Sequence, residues 1–260
     1  MGAPVKEFVR CLEKIDRSKH STDVFRDFTH MAFCALSKRA TPCPTKAAQI
    51  EAAYMQTVAT YRDPEDVRRM PELLAIATTA LTAGGCDFLG EVAGEIGALD
   101  GKLGQFFTPY EVSRLIVEMT LADAPALIER QGFITIQEPA AGAGGMILAA
   151  ADVLTSKGID LARQVWFEAV ELNRSTYHMA YIQTALRGVA GRVVNGNSLS
   201  LEVFGSAYTH AAWTFIDANG DPFRKQKAAV AQEQAHRPEP SRPAPQPQPY
   251  APAIQLSLFD

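Results

Sequence analysis

The chain lacks the features that place a protein in or across a membrane. No run of apolar residues approaches the ~20 residues that a spanning helix needs. The N-terminal stretch MGAPVKEFVRCLEKID is interrupted by charges, so it lacks the apolar core of a signal peptide. It also lacks the Ser or Thr that a myristoylation signal requires after Met-Gly. We therefore expect no membrane partner and a cytoplasmic protein.

The chain also has few cysteines and a small net charge. The four cysteines are scattered without a CxxC pair, which indicates reduced thiols and predicts no metal site. The net charge of −4 excludes a broadly basic nucleic-acid binder, so any DNA contact must depend on a local basic face. A hydrophobic content of 47% and a charged content of 21% are typical of a soluble globular protein.

What the first part of the chain contains is helical periodicity. Ser21-Thr22-Asp23 is a helix start, and apolar residues recur after it at helical spacing. Asp63-Pro64 starts another predicted helix, and Gly84-Gly85 ends a third one. Residues 1–100 are therefore predicted to be an α-helical region.

From residue 101 onward, the pattern alternates between strand and helix. Phe133–Glu138, Val165–Leu172 and Arg192–Val194 are apolar runs of strand length, each followed by helical or turn residues, and Ala211–Ile216 is the predicted fourth strand. Such alternation predicts parallel strands with crossover helices. We expect an α/β, Rossmann-like sheet in the order 3-2-1-4, truncated after strand 4, with that strand on an exposed edge.

The predicted first strand leads into a glycine-rich turn. FITIQE ends at Glu138-Pro139, the turn contains Gly142, Gly144 and Gly145, and strong helix formers follow from Met146. Glycines let the backbone approach a ligand closely, and a helix N-terminus presents free N–H groups. The stretch therefore predicts a nucleotide-type binding site.

Two further strand ends carry polar side chains suited to the same ligand. Glu171 ends the second strand 26 positions after Gly145 (171 minus 145), near the separation of a ribose-binding acid in this fold. Its alternative role is to cap the helix that starts at Asn173. The third strand ends in Asn195-Gly196-Asn197-Ser198, where a side chain could reach a purine edge, although Asn-Gly also simply favours a turn.

These residues, in this order, resemble the adenine-N6 DNA methyltransferases, most closely the modification subunit of type I restriction systems. GQFFTP resembles the family's hexapeptide that walls the S-adenosylmethionine pocket, and EPAAGAGG resembles its DPACGSGG. The resemblance implies S-adenosylmethionine as cofactor, DNA as partner, and a specificity or sister subunit as a further one. The implied cofactor-binding residues are Gln105, Phe106, Phe107, Thr108, Pro109, Glu138, Pro139, Ala140, Gly142, Gly144, Gly145, Glu171, Asn197 and Ser198.

The family's catalytic Asn-Pro-Pro-Tyr/Phe motif is matched only in residue types. By resemblance, its Asn oxygen accepts a hydrogen bond from the adenine amine, and its aromatic ring stacks on a base flipped out of the duplex. Here DANGDPF follows the predicted fourth strand, with one residue too many and one proline missing. Asn219, Pro222 and Phe223 are the catalytic candidates that remain, and a turn ending the domain is the alternative.

The C-terminal segment is rich in proline and ends in a short apolar peptide. Residues 224–253 are predicted to be an extended linker, because this composition does not form a packed core. The peptide at 254–260 resembles the bacterial sliding-clamp-binding pentapeptide, with Gln255, Leu256, Ser257, Leu258 and Phe259 as the contact residues.

Two functions are compatible with these patterns. The first is an adenine-N6 DNA methyltransferase, assigned to residues 101–223 and recruited to DNA by the sliding clamp. The second is a methyltransferase-like module that binds cofactor or DNA without methyl transfer, because the fourth motif is degenerate.

Overall fold

The computed structural model describes residues 2–99 and 107–224 of the 260-residue chain. Met1–Pro222 forms one compact unit, and Phe223 begins a second unit, of which only residues 223 and 224 are described. The helices of the first unit are α1 (Ala3–Leu12), α2 (Ser21–Ala40), α3 (Pro44–Val58), α4 (Pro64–Arg68), α5 (Met70–Ala83), α6 (Phe88–Glu95), α7 (Tyr110–Thr120), α8 (Ala124–Gln131), α9 (Gly145–Ser156), α10 (Arg174–Leu186) and α11 (Ala211–Asn219).

A four-stranded sheet lies at the centre of the α/β part, in the order β1-β2-β3-β4. Strands β1 (Ile134–Glu138), β2 (Val165–Glu171) and β3 (Gly191–Asn197) are parallel, and β4 (Glu202–Tyr208) is antiparallel to β3. The α/β architecture with parallel strands joined by helices is the predicted one. The register pairs Glu138 with Ala169 and Glu171 with Asn195, so the carboxyl ends of these strands share one edge.

The predicted order 3-2-1 of the first three strands is confirmed, but the place of strand 4 in the order 3-2-1-4 was wrong, and so was the run predicted to form it. The real β4 forms a hairpin with β3, after Leu201 adopts a positive φ of 60°. It lies at an edge of the sheet, as expected, but beside β3 rather than β1. Lys46 Nζ, from the helical region, donates a hydrogen bond of 3.2 Å to the carbonyl of Ser206 in β4.

The run Ala211–Ile216 forms most of helix α11 instead of a strand. Ala212 and Phe215 are both fully buried, and their separation of three residues puts them on the same face of a helix. Trp213 Nε1 donates to the carbonyl of Ala40 at 2.7 Å, which attaches α11 to the end of α2. A six-residue apolar run fits either structure by periodicity alone, so packing decided this one.

The helical region packs directly onto the α/β part. Phe8 packs edge-on against Phe28 and Phe88 in the core of the helical region. The same core includes Leu148 of α9 and Met179 of α10. Described residues from both predicted regions, 1–100 and 101–223, therefore share this core, and those up to Pro222 lie in one compact unit.

Helix α10 packs against both the helical region and the sheet. It buries nine residues, from Thr176 to Thr184. Tyr181 packs edge-on against Phe33 of α2, and its hydroxyl donates to the carbonyl of Tyr208 at 2.9 Å. Among the described residues, no helix combines the length and the hydrophobicity needed to cross a lipid bilayer.

Candidate cofactor site

The glycine turn connects β1 to α9 and reverses the chain within a few residues. Gly142 and Gly144 have φ values of 56° and 99°, in the left-handed region that side chains with a Cβ rarely adopt. The amide of Ala141 donates to the carbonyl of Val170 at 2.9 Å, which fixes the turn to the end of β2. Gly145 is the first residue of α9, so the helix N-terminus opens directly onto the turn.

Glu171 binds this turn through its side chain. Its Oε2 accepts a hydrogen bond of 2.9 Å from the amide of Gly142, and its Oε1 accepts one of 2.7 Å from the amide of Asn173. Burial raises the pKa of this carboxyl, while the backbone N–H donors partly oppose the rise. Each oxygen keeps a lone pair for a further donor, so the carboxylate is oriented and still able to bind a ligand.

A cavity of about 200 Å³ lies against the turn. Its walls include residues 138, 140–143 and 145–146 of the turn, with Asp87, Phe107, Thr108 and Ser113 from the preceding elements. A Cβ added at Gly142 would lie 3.1 Å from Cδ1 of Phe107, closer than is comfortable. Glycine at this position therefore lets the Phe107 ring pack directly on the turn.

The predicted hexapeptide is only partly within the described residues. Gln105 and Phe106 lie outside them. Phe107 and Thr108 line the cavity, and the carbonyl of Pro109 accepts from the amides at the start of α7. The described second half of the predicted hexapeptide, from Phe107 onward, therefore lies next to the predicted glycine turn.

Asp152 fixes the start of α7 next to the cavity. Its carboxylate accepts from the amide of Gly85 at 2.6 Å and from the hydroxyl of Tyr110, and it pairs with the guanidinium of Arg187. Both partners of this ion pair are mostly buried. The network holds the residue directly after Pro109 against α9.

Two polar residues of the site were missed by the sequence analysis. Asp87 begins α6 as its N-cap and is 5% exposed, and its Oδ1 accepts from the amide of Gly90 at 3.1 Å. Gln183 of α10 donates to the same Oδ1 at 2.7 Å and to the carbonyl of Ala143 at 2.8 Å, and accepts from the amide of Leu89 at 2.9 Å. Burial raises the pKa of the Asp87 carboxyl.

A local signal for Asp87 existed, whereas none existed for Gln183. An Asp three residues before a glycine, at the start of an apolar helix, is an N-cap pattern. Gln183 lies 96 positions from Asp87 in the chain, and a glutamine in the middle of a helix has no pattern of its own.

Asn197 and Ser198 follow β3 at the same edge of the sheet as Glu171, but Asn197 is used locally. Its Oδ1 accepts from the amides of Leu199 at 2.9 Å and Ser200 at 3.3 Å, an Asx-type turn that begins the hairpin to β4. Neither residue is part of the cavity wall. Asn195, which pairs with Glu171 in the sheet, donates from its side-chain amide to the carbonyls of Glu171 and Leu172.

The structure does not bring the catalytic candidate Asn219 to the cavity. Asn219 ends α11, and its Nδ2 donates to the carbonyl of Arg163 at 2.7 Å. Arg163 precedes β2, so Asn219 lies at the amino ends of the strands, opposite the glycine turn. Pro222 is three residues further along the same unit, and Phe223 belongs to the second unit. Gln255–Phe259 and the linker from 225 onward lie outside the described residues.

Comparison with known proteins gives one family. The family described as N-6 DNA methylase matches residues 89–248, which is more than half of the chain. No curated protein matches the chain. A crystal structure from Listeria monocytogenes, described as a class I S-adenosylmethionine-dependent methyltransferase, is 13% identical over 75% of this chain and 54% of that one, with a TM-score of 0.37. The chain thus spans about half of the length of that protein.

Proposed function

The chain belongs to the N-6 DNA methylase family, and from this premise we propose that it transfers a methyl group from S-adenosylmethionine to N6 of adenine in DNA. S-adenosylmethionine is the cofactor of this family, and it supplies a methyl group bonded to a positively charged sulfur. The observation that carries the proposal is the hydrogen bond from the turn amide of Gly142 to Glu171, at the edge of a cavity.

The residues around the cavity suit this cofactor. Glu171 is ionisable, oriented and half-buried, as an acceptor for two ribose hydroxyls must be. The turn has no Cβ at Gly142, so a ligand and the Phe107 ring can both approach the backbone. The buried hydroxyl of Ser113 in the cavity wall has no hydrogen-bond partner among the described residues, and a polar ligand would provide one.

The residues in and beside the cavity wall then have proposed roles. Glu171 binds the ribose, and the turn from Glu138 to Gly145 supports the central part of the cofactor. Phe107, Thr108 and Pro109 are proposed to form the wall beside the methionine portion, and Gln105 and Phe106, outside the described residues, are proposed as further cofactor contacts. Asn197 and Ser198 are proposed to contact the adenine ring. A contact through Oδ1 of Asn197 requires its Asx turn to open, because this oxygen already accepts two hydrogen bonds.

The test of the enzyme hypothesis is transfer of isotope from the methyl group of the cofactor to DNA. We expect the purified protein to label unmethylated genomic DNA, which offers many sequences at once, and digestion to yield labelled N6-methyladenine. A protein that binds the cofactor in equilibrium dialysis but leaves this DNA unlabelled would refute the enzyme hypothesis.

A second candidate function is a cofactor-binding module that depends on another chain for the target base. The position of Asn219, hydrogen-bonded to Arg163 at the amino ends of the strands, favours this candidate. The two functions differ in one measurement: a module binds cofactor alone and labels DNA only when a second subunit is added. Labelling by the purified chain alone would exclude the module.

We also propose that the C-terminal pentapeptide Gln255–Phe259 binds the bacterial sliding clamp. Short extended peptides bind through a few apolar anchors, and a proline-rich spacer gives such a peptide reach. Tethering would raise the effective concentration of the protein on DNA. Deletion of residues 255–260 should abolish retention on immobilised clamp, whereas a variant with the same six residues in scrambled order controls for composition. Equal retention of both variants and the full chain would rule out this partner.

A further inference from the structure

Asp87 is a buried carboxylate that the roles assigned above do not use. It is 5% exposed, and both hydrogen bonds that it accepts, from Gly90 and Gln183, end on Oδ1. Oδ2 accepts no hydrogen bond from the residues that the structure describes. A Cβ added at Gly145 would lie 2.9 Å from this oxygen, so Oδ2 faces the start of α9 in the cavity wall.

Burial disfavours the ionised form of Asp87, and the hydrogen bonds from Gln183 and Gly90 only partly oppose this effect. Asp87 caps the N-terminus of α6, and its Oδ2 lies against the first residue of α9, so the positive ends of two helix dipoles stabilise a negative charge here. Among the described residues, no lysine, arginine or histidine forms an ion pair with it. A desolvated carboxylate of this kind is stabilised most by a cation.

The two buried carboxylates of the site contact different parts of the turn. Glu171 accepts from Gly142, the first glycine, whereas Asp87 lies against Gly145, the last one. Thr108, in the wall assigned to the methionine portion, lines the same cavity as Asp87. If Glu171 binds the ribose, the opposite part of the cofactor, which carries the α-ammonium group, is the part that reaches Asp87.

We propose that Asp87 binds the α-ammonium group of the methionine portion of S-adenosylmethionine, and that Gln183 holds its carboxylate in the orientation required. The inference rests on the proposed function, since it assigns a residue to the same cofactor. It adds a specificity-determining contact from the helical region. Glu138 is the competing carboxylate in the cavity wall, and its Oε1 already accepts from the amide of Ala140 at 3.0 Å.

The test is the isosteric variant Asp87→Asn. An asparagine keeps the oxygen that accepts from Gly90 and Gln183, which preserves the helix cap, and replaces only the oxygen facing the cavity with an amide group. Asp63→Asn is the matched control, because Asp63 caps α4 by accepting from the amide of Glu65 and is not part of the cavity wall.

Three ligands separate the possible contacts in titration calorimetry. S-adenosylmethionine and S-adenosylhomocysteine both carry the ammonium group, and only the first carries the sulfonium; 5′-methylthioadenosine carries neither. We expect Asp87→Asn to weaken binding of the first two ligands by about tenfold or more, and of the third by less than about twofold. Asp63→Asn should bind all three like the wild type.

Four results would overturn the assignment. Unchanged affinity of Asp87→Asn for S-adenosylhomocysteine, with weaker S-adenosylmethionine binding, would assign the carboxylate to the sulfonium. Equal weakening of all three ligands would indicate a structural role only. If Glu138→Gln, and not Asp87→Asn, weakened binding of the two ligands that carry the ammonium group, the contact would belong to Glu138. A wild-type protein that binds none of the ligands would refute the proposed function itself, and this assignment with it.

Discussion

Helices α10 and α11 each carry a side-chain amide, and the two amides have opposite surroundings. Gln183 of α10 is fully buried and makes three hydrogen bonds, to α6 and the glycine turn. Asn219 of α11 is half-buried at the end of its helix and donates to two backbone carbonyls, one of them in its own helix. The sequence marked Asn219 as a candidate site residue and gave no indication of Gln183.

The difference shows what makes a polar residue part of a site. The functional group is the same, but α10 passes behind the glycine turn at the carboxyl ends of the strands, and α11 ends near Arg163 at their amino ends. Ligands of open α/β sheets bind outside the carboxyl ends of the strands. The following predictions test whether stability and cofactor binding depend on the polar groups of α10 and the residues next to it more than on Asn219 of α11.

The largest effect expected is acid destabilisation through His178 of α10. Burial, His30 and Arg174 lower the pKa of His178 to about 3. Between its ordinary value and this one, the unfolded chain binds a proton that the folded chain does not, so stability falls as pH decreases from about 6.5 to about 3. The loss from this residue should reach roughly 4 kcal/mol, measured by urea unfolding at each pH.

The variant His178→Phe removes this titration and keeps an aromatic ring next to Phe33, on which His178 stacks at 4.5 Å. Its unfolding free energy should depend less steeply on pH than that of the wild type within the same window. Identical slopes would show that His178 does not carry the acid sensitivity.

The next effect in size is the loss of stability in Gln183→Leu. Leucine fills similar space but leaves the amide of Leu89 and the carbonyl of Ala143 buried without partners. Each such group costs about 1–3 kcal/mol, so we expect roughly 3 kcal/mol less unfolding free energy. The neighbouring Thr184→Val is the control, because Thr184 donates only to carbonyls of α10 itself. Equal losses in both variants would contradict a special role for Gln183.

A smaller effect is expected on cofactor affinity in Glu171→Gln, at the end of β2 and three residues before α10. One acceptor oxygen becomes an amide group that opposes the N–H of Gly142 or Asn173. S-adenosylmethionine should bind about tenfold more weakly, equivalent to about 1.4 kcal/mol. Glu168→Gln is matched on the same strand, where Glu168 pairs with Arg192, and should keep its affinity within about twofold. Unchanged affinity of Glu171→Gln would disprove the proposed ribose contact.

The smallest effect is expected for Asn219→Ala in α11. Loss of its hydrogen bonds to Arg163 and Phe215 should reduce stability by about 1 kcal/mol. Cofactor affinity and any methyl transfer to DNA should stay within about twofold of the wild type. A large loss of transfer at normal stability would show that Asn219 acts at the target base after all.

The sequence predicted those parts of the site that depend on short-range order. The turn from Glu138 to Gly145 and the acid Glu171 follow strands by fixed numbers of residues, and parallel strands bring their carboxyl ends to one edge. The glycines also follow from local conformation, since Gly142 and Gly144 need positive φ values. Gln183 holds Asp87 in the cavity wall from 96 positions away in the chain, and no spacing rule connects the two residues.

The same division applies to the fold. Three parallel strands and their helices were predictable because each carries its own periodicity. The place of the fourth strand was not, since the hairpin at Asn197–Leu201 reverses the chain through an Asx turn and one left-handed residue. Ala211–Ile216 became a helix because Ala212 and Phe215 bury the same face of it.

By itself, the sequence determined the α/β class, the glycine turn, the carboxylate of Glu171 and the family to which these residues point. Only the tertiary structure decided which polar groups belong to the site: it placed Asp87 in the cavity wall, with Gln183 hydrogen-bonded to it, and it left Asn219 out. The physical reason is that backbone geometry acts over a few residues, whereas burial of a polar side chain depends on which distant elements pack around it and satisfy its hydrogen bonds.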